Sequence, residues 1–130
     1  MQAILRQVRI SCRKAALVAD LVRNKKVEDA INILRFTPKK AAPIIKKVIA
    51  AAAANAENNF KQDKNTLFVK EIICSEGTTY KRGVHISRGR SHPILKKTAH
   101  IMVKLESRGT SAKKAVKTAE PKAKTTKSTK

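Results

Sequence analysis

Lys81-Arg82-Gly83-Val84-His85-Ile86-Ser87-Arg88-Gly89-Arg90-Ser91-His92-Pro93-Ile94-Leu95-Lys96-Lys97 holds six lysines or arginines and no acidic residue. On either side lie segments rich in Val, Ile and Leu that predict β-strands, residues 67–75 and 99–106. In the middle, Ser87, Arg88, Gly89, Arg90 and Ser91 include a glycine suited to a tight reversal. The stretch therefore predicts a β-hairpin arm with those five residues at its tip. About eight residues per side, at roughly 3.3 Å each, carry the tip roughly 25 Å from the body, too far for a small domain to fold back over it. A ribbon with six positive charges finds its burial most readily against phosphate.

The strands flanking the arm should pair antiparallel, the second presenting Ile101, Val103 and Leu105 on one side and His100, Met102 and Lys104 on the other. Residues 2–10 alternate in part through Ile4, Val8 and Ile10 and supply a third strand, with Arg6 and Arg9 off its apolar side. Ser11 then stands as an N-cap, and Leu17, Val18, Leu21 and Val22 recur at helical spacing, which predicts a helix to about Arg23 with Leu17, Val18 and Leu21 in the core. Its first turn carries Arg13 and Lys14, where the macrodipole favours negative charge. A bound phosphate would resolve that conflict; two solvated cations is the plainer alternative.

Val27, Ala30, Ile31 and Leu34 predict a second helix, with Glu28 and Asp29 well placed in its first turn. Thr37 and Pro38 read as the cap and first residue of a third, which runs through Ile44, Ile45, Val48, Ile49, Ala52, Ala53 and Ala56 to a left-handed cap at Asn58 or Asn59. Lys39 and Lys40 crowd its start, and Pro43 either kinks it or marks where its regular part begins. The alanine run 50–54 has high helix propensity and little bulk, which suits close packing on a neighbour. Three helices need an apolar surface to cover, and the three strands supply it. The expected class is α+β: three helices packed on a three-stranded antiparallel sheet with a long protruding β-hairpin.

A length of 130 residues allows one domain, expected over residues 1–106 with the arm at 81–97. From 107 to 130 the composition turns to Lys, Ala, Thr and Ser, and no core can form, so a disordered basic tail is expected. Arg108 and seven lysines against Glu120 give that tail +7, leaving +14 of the total +21 for the body. Self-repulsion of that size, at a pI near 10.6, calls for a polyanionic partner, and nucleic acid leads. Arg6, Arg9, Arg13, Lys14, Lys39 and Lys40 on the body are the candidate phosphate contacts, with Lys81, Arg82, Arg88, Arg90, Lys96 and Lys97 on the arm. Aromatic residues are only 3% of the chain, so single-strand stacking platforms are missing and recognition of folded RNA remains.

Other classes fare worse. No apolar run approaches a spanning helix, and the N-terminus lacks the apolar core of a secretory signal, so no membrane partner and a cytoplasmic location are expected. Cys12 and Cys74 have neither Cys-x-x-Cys spacing nor a histidine cluster, so no zinc site, and in a reducing compartment no disulfide, is expected. The nine acidic residues are scattered, with no pair placed to share a metal or a proton, and no phosphate-loop, dinucleotide or nucleophile motif occurs. Two of the three histidines, His85 and His92, lie in the basic arm, where a cation is repelled; His100 alternates with core side chains. No enzyme, no cofactor and no metal is the expectation. A loose DNA-compacting or heparin-type binder fits the composition equally well, whereas a small RNA-cleaving or RNA-modifying enzyme lacks the necessary groups.

Several stretches coincide with one family. Ser11-Cys12-Arg13-Lys14-Ala15-Ala16-Leu17-Val18-Ala19-Asp20-Leu21-Val22-Arg23 resembles the first-helix signature of bacterial large-subunit ribosomal protein twenty-two. Residues 38–42 and Ala54-Asn55-Ala56-Glu57-Asn58-Asn59 resemble its third helix, and Glu76-Gly77 through Lys81-Arg82 the entrance to its arm. Arg88-Gly89-Arg90 is similar to the arm tip, and Ile94-Leu95-Lys96-Lys97-Thr98-Ala99-His100-Ile101 to the return strand. The resemblance spans residues 3–106 or so. It implies a noncatalytic structural protein of the cytoplasmic large ribosomal subunit that binds rRNA early in assembly. It also implies neighbouring ribosomal proteins as partners, no homo-oligomer, and an arm that lines the nascent-peptide exit tunnel against the nascent peptide. His85-Ile86 stand where the family commonly has Pro-Arg, Pro93 where Arg often sits, and Cys12 in place of a first-turn proline.

Overall fold

Strict alternation puts Ile101, Val103 and Leu105 on one side of a strand, and in the computed structural model, which describes residues 1–107, that strand is the centre of the sheet. This is β5 (Ala99–Ser107); β1 (Gln2–Val8) and β2 (Leu67–Glu76) flank it, both antiparallel, in the order β1-β5-β2. Ala3 pairs with Val103, and Val103 in turn with Ile72, so one face collects Leu67, Val69, Ile72, Ile101 and Val103, all buried. The helices α1 (Cys12–Val22), α2 (Val27–Phe36) and α3 (Ala42–Phe60) cover that face. The fold is α+β, three helices on a three-stranded antiparallel sheet. Ser107 closes the last pair of the sheet, with Leu67, so the body extends one residue past the expected boundary; of the tail expected over 107–130, residues 108–130 lie outside the described residues.

Pro43 takes the start of α3, where a missing N–H costs nothing, which settles the choice between a kink and a beginning. Thr37 is not its cap. Instead the Thr37 hydroxyl donates to the Ile33 carbonyl at 2.8 Å and ties off the end of α2, so Lys39 and Lys40 lie in the α2–α3 link rather than in a first turn. The left-handed cap of α3 falls at Lys61 (φ 50°), not at an asparagine: the helix continues to Phe60 because Ala53 and Ala56 are still docked, and the orphaned carbonyls of Glu57 and Ala56 accept from the Lys61 N–H at 3.1 Å and the Gln62 N–H at 3.3 Å. Ile45, Ile49, Ala52 and Ala56 form its buried stripe, the alanines bringing the helix close over β1 and β5. Burying each isoleucine contributes about 1.5–3 kcal/mol.

On α1 the core stripe is Ala15, Val18, Ala19 and Val22, which contradicts the expectation for Leu17 and Leu21. Leu17 is 71% and Leu21 48% exposed, and Ile31 on α2 is only half-buried. Two apolar stripes run side by side on this helix, about 100° apart, and its docking on β2 buries the one with the smaller side chains. The α1–α2 loop is stitched to the edge of β2 by Asn24 N–H to Val69 O and Val69 N–H to Lys25 O, each 2.9 Å.

The arm is β3 (Tyr80–His85) and β4 (Ser91–Lys96), a separate two-stranded ladder from Tyr80 opposite Lys96 to His85 opposite Ser91. Six residues a side give a ladder of roughly 20 Å, shorter than expected because a neck intervenes. At the tip, Arg88 (φ 62°) and Gly89 (φ 68°) are both left-handed, and Ile86 N–H donates to Arg90 O at 2.8 Å. In the neck, Gly77 N–H donates to Thr98 O at 3.0 Å, while the buried Thr98 hydroxyl donates to Thr78 O at 2.7 Å. β1 ends earlier than expected, at Val8, because Gln7 (φ 55°) shifts the register and turns its N–H onto His100 Nδ1 at 3.0 Å. His100 is thus a structural acceptor.

Candidate nucleic-acid interface

Charge on the described residues is segregated by pairing. Five carboxylates are taken by nearby cations: Asp20 with Arg23, Glu57 with Lys64, Glu106 with Lys70, Glu76 with Lys97 and Glu71 with Lys104. Of the twelve candidate phosphate contacts, only Lys97 has such a partner; the other eleven are exposed cations without an ion pair among the described residues.

The structure brings part of that set together. Arg9 leaves the end of β1, Lys14 sits in the first turn of α1, Lys39 and Lys40 in the α2–α3 link, and Lys97 at the arm root, and all five rim one groove of about 740 Å³. Ile10, Leu17, Val18 and Leu21 make its apolar floor, and Leu95 of β4 closes it from the arm. Arg6, on the solvent-exposed part of β1, and Arg13 on α1 do not line this groove. Arg88 and Arg90 stand apart at the arm tip, and Lys81, Arg82 and Lys96 along the ladder. The Ser11 hydroxyl makes no capping bond to α1, whose first turn holds no acidic residue, so Arg13 and Lys14 face solvent unopposed.

Tyr80 is a residue sequence reasoning passed over. The Arg9 guanidinium lies 5.5 Å from its ring centroid and that of Arg82 5.8 Å, so one ring holds a cation from the body and another from the arm. Arg82 is fixed further by donating to the Lys81 carbonyl at 2.8 Å. No local pattern joins Arg9 to Tyr80, because 71 positions of chain separate them. The groove leucines were missed for a different reason: a doubled apolar stripe looks like core until the helix is docked.

Cys12 and Cys74 are free thiols, and Cys12 Sγ donates to the Cys74 carbonyl at 3.0 Å. Burial pushes the Cys74 thiol up, and neighbouring Cys12 adds to the effect. Among the described residues no His, Cys, Asp or Glu group of three or more could hold a metal, and no helix is long and apolar enough to cross a membrane.

Comparison with known proteins gives the same direction. The family model described as Ribosomal protein L22p/L17e matches residues 3–106. The large ribosomal subunit protein uL22 of Pelotomaculum thermopropionicum is 46% identical over 102 residues, which cover 78% of this chain and 90% of that relative. An RNA-processing enzyme and a free polyanion binder are thereby set aside. The match makes the chain a structural, noncatalytic component of the large ribosomal subunit, and the chain belongs to the ribosomal protein L22p/L17e family.

Proposed function

We propose that the body binds large-subunit rRNA through Arg6, Arg9, Arg13, Lys14, Lys39 and Lys40, while the arm, residues 81–97, extends along the nascent-peptide exit tunnel with Ser87 to Ser91 at its tip. The observation that carries the rRNA reading is the set of eleven exposed cations that no carboxylate among the described residues offsets. Phosphates supply the missing charge, and the released counterions drive association. The arm reading is supported by a ladder that pairs only with itself and by side chains exposed from Tyr80 to Lys96, with no acidic residue to repel RNA. A single copy acts beside neighbouring ribosomal proteins, since two chains of +21 repel one another.

The test is binding of the intact chain to a large-subunit rRNA fragment over a range of salt. With roughly five to ten phosphates engaged, log affinity falls against log salt with a slope of about −4 to −9. A near-flat slope overturns the reading. For the arm, Arg90→Glu sets a carboxylate against phosphate, and translation of tunnel-sensitive peptides should change more than subunit yield. Reduced yield with unaltered translation removes the arm from the tunnel.

A further inference from the structure

Leu17 and Leu21 are the anomaly of the body. Burying such side chains contributes about 1.5–3 kcal/mol each, yet the fold leaves both in the groove floor, with Leu95 of the arm opposite them. Among the described residues no Asp or Glu lines the groove. Of its five cations only Lys97 is offset among the described residues, by Glu76 at 3.2 Å. An occupant that matches this surface has an apolar body with negative charge to either side of it.

We propose that the groove receives one unstacked nucleobase of the large-subunit rRNA, with the phosphates flanking that nucleotide on Lys14, Lys39 and Lys40. This rests on the rRNA-binding reading above and goes further, since phosphate contact alone needs no apolar floor. Three observations favour a nucleotide over an acidic peptide. Arg9 lies over Tyr80, which holds its guanidinium plane at the groove rim, and bases stack on such planes. Ser11 lines the groove with a hydroxyl not used as a helix cap, free to bond the edge of a base. The volume, about 740 Å³, falls in the range of roughly 300–1,000 Å³ that takes one small organic group. The floor comes from the β1–α1 bend and α1, the rim from the α2–α3 link and the far wall from β4, so the site exists only when arm and body are correctly set.

The experiment places a photoreactive benzoylphenylalanine at position 17, which is exposed and outside the core, in the full chain assembled into large subunits. Irradiation should join it to the base of one rRNA nucleotide, mapped as a single reverse-transcription stop. Alongside, the double variant Leu17→Ser, Leu21→Ser should bind the rRNA fragment about tenfold more weakly with its salt slope unchanged. Lys39→Gln with Lys40→Gln should instead lower the slope by about two. A crosslink to a ribosomal protein, stops scattered over many nucleotides, or full affinity in the leucine variant overturns the inference. A steep slope for the intact chain with insensitivity to the leucines defeats the base pocket alone; a flat slope for the intact chain defeats the rRNA reading beneath it.

Discussion

Adding one methyl group at Gly77 should destabilise the fold at the point where the arm leaves the sheet. A Cβ there would lie 2.6 Å from Thr98 Oγ1 and 3.2 Å from His100 Nε2. Neither neighbour can yield freely. The Thr98 hydroxyl is buried and donates to Thr78 O at 2.7 Å, and the His100 ring is held from its other side by the Gln7 N–H at 3.0 Å. Relieving the overlap costs about 1–3 kcal/mol of overpacking, and giving up the threonine bond about 1 kcal/mol more. The smaller conformational freedom of alanine in the unfolded chain returns about 0.4–1 kcal/mol. Gly77→Ala should therefore lose about 1–3 kcal/mol in urea unfolding of the full chain at 25 °C. The clash should couple it to Thr98: in a double-mutant cycle with Thr98→Ala, the pair should lose less than the sum of the single changes by at least about 0.5 kcal/mol. Stability of Gly77→Ala within about 0.5 kcal/mol of the parent, or strict additivity with Thr98→Ala, refutes the steric argument.

Replacing residues 82–96 with an Asn-Gly turn should leave the body folded by circular dichroism, because no core residue lies in that span; an unfolded product would make the arm part of the core. Ile49→Ala on α3 should cost about 2–5 kcal/mol, whereas Leu17→Ala should stay within about 0.5 kcal/mol, and denaturation of the two variants side by side checks which apolar residues hold the fold. Because burial raises the Cys74 pKa above its ordinary value of 9.0, the unfolded chain loses this proton first as pH rises, so the group's contribution is intact below pH 9.0 and is lost as pH climbs through the folded value. Unfolding measured from pH 7 to about 10 should show part of the alkaline destabilisation disappear in Cys74→Ala, and an unchanged profile would contradict it. Truncation after Arg108 keeps every core residue and the Leu67–Ser107 pair, so the melting temperature should not move while nonspecific RNA affinity falls; loss of strand or helix signal would show the removed segment to be structural.

Local chemistry made much of this protein legible. The alternation of Ile101, Val103 and Leu105, the spacing of Val27, Ala30 and Leu34, and Gly89 at the reversal each depend on near neighbours in the chain, so they fixed β5, α2 and the arm before any contact was known. The excess of cations over carboxylates likewise pointed to a phosphate-rich partner, since net charge is a property of composition. What only the tertiary structure decided were choices between locally equivalent options. Thr37 can cap the end of one helix or the start of the next, and the packing of Ala42 and Ile45 at the start of α3 accompanied the first choice. Leu17 and Leu21 are as apolar as Val18 and Val22, and the angle at which α1 docks on β2 put one pair in the core and the other in a groove. The groove itself, and the ring of Tyr80 between Arg9 and Arg82, join residues far apart in sequence; their positions are set by strand order and by the neck at Gly77 and Thr98, which no local pattern encodes.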